Sequence, residues 1–194
     1  MLVEPFDTVR SGRYSNDVDI ESDNNVGLLP LRDRLLDAAE RIAAREGVRS
    51  LTLEAVAHEA GVSKGGLLYH FPAKSALIIA MVERLTNRCE SEQATAIAAD
   101  SETAGAFARA YLTVRSKPPD PQKELVHMAV LVALGTDPEY LDPLRQRLAE
   151  WQSRLESDGI SPVTASIVRL AIDGLLVGRL LKVPLPEGKL QERV

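Results

Sequence analysis

A chain of 194 residues, 45% of them hydrophobic and 26% charged, can bury one substantial core or two small ones, a balance ordinary for a soluble globular protein. Its single cysteine excludes an intrachain disulfide and fits a reducing cytoplasm. It opens without a secretory leader, and its longest apolar runs fall well short of a membrane span. A net charge of −5 argues on its face against a polyanionic partner, so the distribution of that charge along the chain matters more than its sum.

Residues 1–29 lack periodicity and are rich in Asp, Ser and Asn; they read as a disordered acidic N-terminal arm. Up to residue 30 there are two arginines, Arg10 and Arg13, against six acids, a poor composition for gripping DNA. From Leu31 to about Glu46 apolar residues recur at Leu31, Leu35, Ala38 and Ile42, the stripe of a buttressing helix that Gly47 ends. The next segment, LTLEAVAHEAGVSKGGLLYHFPAK from Leu51 to Lys74, reads as two short helices joined by a glycine turn. Thr52 caps the first, whose apolar stripe is Leu53, Val56, Ala57 and Ala60. Gly61 suits the left-handed residue that closes it, Val62 plugs the angle, and Ser63 caps the second helix, Lys64–His70. Leu67 and Phe71 face inward, which leaves Lys64, Gly65, Gly66, Tyr69 and His70 on or near the outer side. That is a helix-turn-helix, placed within a DNA-binding unit of residues 30–75, with its second helix entering a DNA groove. Residues 31–90 carry nine Lys and Arg against eight acids, and residues 91–194 twelve against fourteen. The reading unit's stretch is therefore the least acidic, and its nonspecific affinity should be weak and strongly salt-dependent.

The run GVSKGGLLYHFPAK is close to the signature of the TetR family of one-component transcriptional regulators, and residues 31–85 resemble that family's N-terminal domain. The resemblance implies that Thr52, Ser63, Tyr69 and Lys74 contact phosphates, and that Lys64, Gly65, Gly66 and His70 lie in or beside the major groove. Leu67 is counted in the same DNA-binding set. Many members have Thr or Ser where this chain has Gly66, and Tyr where it has Leu68. With fewer polar side chains for base edges, close backbone approach through the two glycines and DNA shape must supply more of the readout.

After Pro72 a long helix begins, with Leu77, Ile78, Met81, Val82 and Leu85 on one side; it links the DNA-reading unit to everything that follows. Four more helices are predicted, which makes the chain all-α, with residues 76–194 forming a helical ligand-binding and dimerisation domain. The first holds Ala104, Phe107, Ala108, Tyr111 and Leu112 and stops at Pro118–Pro119. The second, residues 122–135, is apolar nearly all round and should be interior. The third runs from about Tyr140 to Glu156 with Leu141, Leu144, Leu148, Trp151 and Leu155 at spacings of three and four. The fourth runs from Pro162 to about Lys182.

Gly174 and Gly178 lie one turn apart on the last helix, with Ala171 near them. Each glycine costs a helix about 1 kcal/mol relative to alanine, so the pair suggests close packing. The favoured reading is a homodimer seam built by Leu144, Leu148, Ile167, Ala171, Gly174 and Gly178; packing within one subunit is the plainer one. Effector-pocket candidates are Met81, Phe107, Tyr111, His127, Met128, Leu131, Trp151 and Asp173, although Met, Phe and Trp at helical spacing are also what a plain core contains. Asp173, among apolar neighbours, either counters a cationic ligand or pairs with Arg169 one turn earlier. Cys89 reads as packing. The histidines His58, His70 and His127 show no metal-ligand spacing, and no nucleophile elbow, P-loop or dinucleotide fingerprint is present. No metal, cofactor or catalytic residue is expected. The sequence reads as a cytoplasmic, dimeric, ligand-responsive regulator binding a palindromic operator in double-stranded DNA as a repressor, released by a small apolar effector and independent of membranes. The alternative is a helical interaction module whose DNA-binding domain is vestigial.

Overall fold

Local signals set the first helices. Pro30 cannot continue a helix backwards, and α1 (Leu31–Glu46) starts directly after it, with Asp33 in its first turn, Arg45 in its last and Gly47 at φ 80° beyond its end. In α2 (Leu53–Ala60) the Thr52 hydroxyl oxygen accepts the Ala55 N–H at 3.1 Å. Gly61, left-handed at φ 69°, donates to His58 O while Val62 N–H reaches Ala57 O at 3.0 Å. That double closure turns the chain sharply into α3 (Lys64–His70), where Ser63 Oγ accepts Gly66 N–H at 3.1 Å. The long α4 (Lys74–Ala98) is followed by α5 (Ala106–Ser116), a 3₁₀ turn (Pro138–Leu141), α6 (Asp142–Glu156) and α7 (Pro162–Leu180). This computed structural model describes residues 29–47, 50–117 and 138–186, and among them there are seven α-helices and no strand.

Two cores organise these helices. The first joins Leu35, Leu36 and Ile42 of α1, Val56 of α2, Leu67 of α3, Phe71, and Leu77, Ile78 and Met81 of α4. Arg34 donates to Ala60 O at 3.1 Å, and Arg41 with Arg45 grips Glu59, so α1 holds the far end of α2. Arg84 pairs with Asp37 and Glu40 while Arg88 reaches Glu40 at 3.2 Å, which ties α4 to α1 just past the first core. The second core packs Phe107 and Tyr111 of α5 against Trp151 and Leu155 of α6 and Ala165 and Ile172 of α7, with Cys89 and Ile97 of α4 at its edge. α4 is thus shared, its first turns in one core and its last turns in the other.

The helix limits depart from the sequence expectation where the cap is distant. α5 begins at Ala106 because Asp158, some fifty residues later, accepts the Phe107 and Ala108 N–H groups at 3.0 and 2.8 Å. The predicted third C-terminal helix opens as a 3₁₀ turn and becomes α-helical only at Asp142, with Pro143 in its first turn. α7 ends at Leu180 rather than Lys182, whose φ is 53°. The helix expected at 122–135 and the acidic arm at 1–29 lie outside the described residues, apart from Leu29 at the arm's edge.

Candidate nucleic-acid interface and effector region

Two capped starts present the outer face of the helix-turn-helix. Thr52 and Ser63 each spend an oxygen lone pair on a backbone N–H, which leaves each hydroxyl proton to donate outward. The second of these starts opens α3, whose first turn carries no side chain at Gly65 or Gly66. A Cβ added at Gly65 would meet only Ser63 Oγ at 3.9 Å, and at Gly66 the same atom at 3.4 Å. Nothing in the fold itself therefore requires glycine there. Tyr69 stands 86% exposed, its ring edge-on to His70 at 5.2 Å between centroids. Lys74 opens α4, where the free N–H groups of the helix start add partial positive charge.

Two residues of the predicted set are not free to meet a duplex as they stand. Leu67 has no exposed surface and packs in the first core; its side chain fixes the orientation of α3 and does not reach a duplex. Lys64 forms a 2.6 Å ion pair with Glu54 across the turn, both side chains well exposed. That hydrogen bond holds the Glu54 carboxyl below its ordinary range. Glu54 went unnoticed in the sequence because its partner is ten residues away on another helix.

The effector candidates divide. Met81 is buried in the first core among α1 and α4 residues, apart from Phe107, Tyr111 and Trp151. His127, Met128 and Leu131 lie outside the described residues. Phe107, Tyr111 and Trp151 are brought together in the second core, Tyr111 and Trp151 in an edge-on contact at 5.8 Å. Asp173 accepts the Tyr111 O–H at 2.6 Å and lies 3.4 Å from Arg115 Nη1 and 3.5 Å from Arg169 Nε. Of its two sequence readings the ion pair with Arg169 is the one present, and three partners already occupy the carboxylate. Arg115, which the sequence reading passed over, stacks on the rings of both Tyr111 and Trp151 at 4.8 and 4.9 Å; its place one turn after Tyr111 was the available signal. Glu90 is a second unforeseen hub, taking the Trp151 indole N–H at 2.6 Å and pairing with Arg154. Burial opposes its ionisation, but those two donors outweigh it and hold the carboxyl below its ordinary range. An open cleft of about 400 Å³ between α1 and α4, lined by Arg32, Glu83, Arg84 and Arg88 among others, contains none of the effector candidates. Among the described residues no cluster of three metal-ligating side chains occurs, and no single helix is long and apolar enough to cross a membrane.

The seam candidates divide too. Leu144 packs beside Val82 and Leu148 against the second core, so α6 turns its apolar face into its own subunit. Gly178 is buried, and a Cβ there would strike Leu185 at 2.6 Å, so this glycine serves packing within the chain. Ile167, Ala171 and Gly174 are exposed, and they continue through Val163, Leu170, Val177 and Leu181 as one apolar stripe along α7.

Residues 35–81 match the family described as bacterial regulatory proteins, tetR family, and residues 105–194 match the tetracyclin repressor-like C-terminal domain. The chain is 41% identical over 61 residues to the HTH-type transcriptional regulator BetI of Brucella anthropi, a match spanning 31% of each chain. The fold is similar to that of a transcriptional regulator from Streptomyces coelicolor A3(2), with a TM-score of 0.67, 22% identity, and coverage of 82% of this chain and 92% of the other. It is also similar to the multidrug binding protein EbrR complexed with ethidium, with a TM-score of 0.60, 25% identity, and coverage of 84% and 96%.

Proposed function

The chain belongs to the TetR family of transcriptional regulators, and from that premise we propose that it is a dimeric repressor of a palindromic operator, released when a small molecule binds its C-terminal domain. Residues 30–75 would read DNA, supported by the first turns of α4, and residues 76–194 would bind the effector and pair the subunits in the cytoplasm. The observation that carries this reading is α3 itself: a capped helix start, two glycines that the fold does not need, and a tyrosine ring standing in solvent. One such helix touches too few bases for high specificity; two copies about 34 Å apart read successive major grooves. EbrR, a multidrug binding protein of similar fold, is complexed with ethidium, which supports a small-molecule effector here. No catalytic step is proposed.

Gel shifts with the upstream intergenic region test the assignment. Tyr69→Ala and Lys74→Ala should weaken binding to every operator sequence alike, and Lys74→Ala should flatten the salt dependence by about one unit of slope. Lys64→Ala should also change base preference, since that ammonium must leave Glu54 to reach the groove. Unchanged affinity in all three would remove the DNA reading and favour the interaction module.

The glycines give a second test. Because an alanine Cβ fits at either position, Gly65→Ala and Gly66→Ala should each stabilise the helix by about 0.5–1 kcal/mol. Melting temperature should rise by a few degrees while operator affinity drops tenfold or more, as the methyl group holds the backbone off the duplex. Stabilised variants that bind DNA as tightly as the parent would show that the close approach does not occur.

A further inference from the structure

Gln93 lies in the middle of α4 with no exposed surface, and neither its amide nitrogen nor its oxygen has a hydrogen-bond partner. Folded chains avoid such burial unless something else satisfies the group. Gln93 is one turn from Cys89 and one turn from Ile97, both packed on the second core, so its side chain leaves α4 on the face toward Phe107, Tyr111 and Trp151. Two more buried donors there lack acceptors, Arg115 Nε and Arg169 Nε. The second sits 3.5 Å from Asp173 without the alignment of a hydrogen bond.

Among the described residues the charges around this core do not balance. Two guanidiniums, each more than four-fifths buried, share the single carboxylate of Asp173. Tyr111 bonds that same carboxylate, and burial keeps its phenol protonated, so it adds no negative charge. Glu90 is committed to Trp151, Arg154 and Arg147, and the Asp158 carboxylate to the start of α5. Among the described residues one positive charge is left over beside an aromatic wall. A guanidinium with a free Nε–H presents a fork suited to a planar carboxylate.

We propose that the effector is an anion, a carboxylate with an apolar body, held by Arg115 and Arg169 with the Gln93 amide as a third polar contact. The proposal rests on the reading of the chain as an effector-released regulator and names the chemical class of its effector. It also runs against a cationic ligand for Asp173, whose carboxylate already faces two guanidiniums and the Tyr111 hydroxyl.

Trp151 is the chain's one tryptophan, so its fluorescence reports on this region directly in the full-length protein. Octanoate, octyltrimethylammonium and 1-octanol share a tail and differ in charge. Octanoate should bind at least tenfold more tightly than the other two. Arg115→Gln should weaken octanoate at least tenfold and change octanol little. Gln93→Leu should weaken octanoate several-fold while raising the melting temperature, since it removes a buried amide that has no partner in the free protein; a purely structural amide would lower it. Tightest binding of octyltrimethylammonium or octanol overturns the proposal, as does failure of all three to bind. So does a Gln93→Leu variant that is less stable and binds octanoate unchanged. Operator gel shifts run beside the titration keep the two readings apart. Operator released by the ammonium probe alone sinks only the anion assignment, whereas a protein that never binds operator sinks the regulator reading whatever octanoate does.

Discussion

A chain carrying both Ile167→Glu and Leu170→Glu is expected to sediment as a folded monomer and to lose operator affinity by at least about a hundredfold. The stripe Val163, Ile167, Leu170, Gly174, Val177 and Leu181 advances by four and three residues in alternation, the spacing with which two helices pair at a shallow angle. Ile167 is 62% and Leu170 63% exposed, and a Cβ at Gly174 would meet nothing within 4 Å. A partner helix therefore has room to come close. Because both side chains lie outside the subunit core, the glutamates should leave the helical content of the monomer unchanged, and paired copies would set four carboxylates against one another. Losing the second half-site removes the multiplied affinity of two linked recognition helices. Sedimentation velocity with circular dichroism checks the first part and gel shifts the second. A variant that stays dimeric would place the seam elsewhere.

Trp151→Ala should be the most damaging single change to stability. The indole is fully buried, meets the Tyr111 ring edge-on, lies under Arg115 and donates to Glu90. Removing such a side chain costs about 3–5 kcal/mol, which for a chain of this length lowers the melting temperature by about 10 °C or more. Trp151→Phe keeps most of the ring and removes the N–H donor, so its loss should be smaller, about 1–3 kcal/mol. Its pH dependence has a definite sign. Glu90 is held below its unfolded pKa by its donors, so the stability it contributes is present above the unfolded value and is lost as pH falls through the folded one. The deficit of Trp151→Phe against the parent should be full at neutral pH and shrink under acid conditions. A deficit constant with pH in thermal melts would show that the indole contributes by packing alone.

What could be read in the sequence was what lies within one turn of itself. Thr52, Gly61 and Ser63 cap their helices through bonds spanning three to five residues, so α2 and α3 came out at their true limits. The inward assignments of Leu67 and Phe71 followed from the helical period. Distant partners left no such trace. Asp158 caps α5 from fifty residues away, and Glu54 meets Lys64 across a turn. Period alone also cannot say which of two apolar faces meets the chain's own core. On α7, Ala165 and Ile172 go inward while Ile167 and Leu170 go outward, and Gly178 meets Leu185 of its own chain.

The sharing of α4 between two cores makes it a lever arm with unequal ends. Glu90, gripped by α6, lies sixteen residues from Lys74, about 24 Å at 1.5 Å per residue. A tilt of about 5° around that grip would carry the Lys74 end roughly 2 Å sideways. In a symmetric pair both ends swing, so the gap between the two tyrosine rings would change by as much as about 4 Å, enough to throw one of them out of phase with its groove.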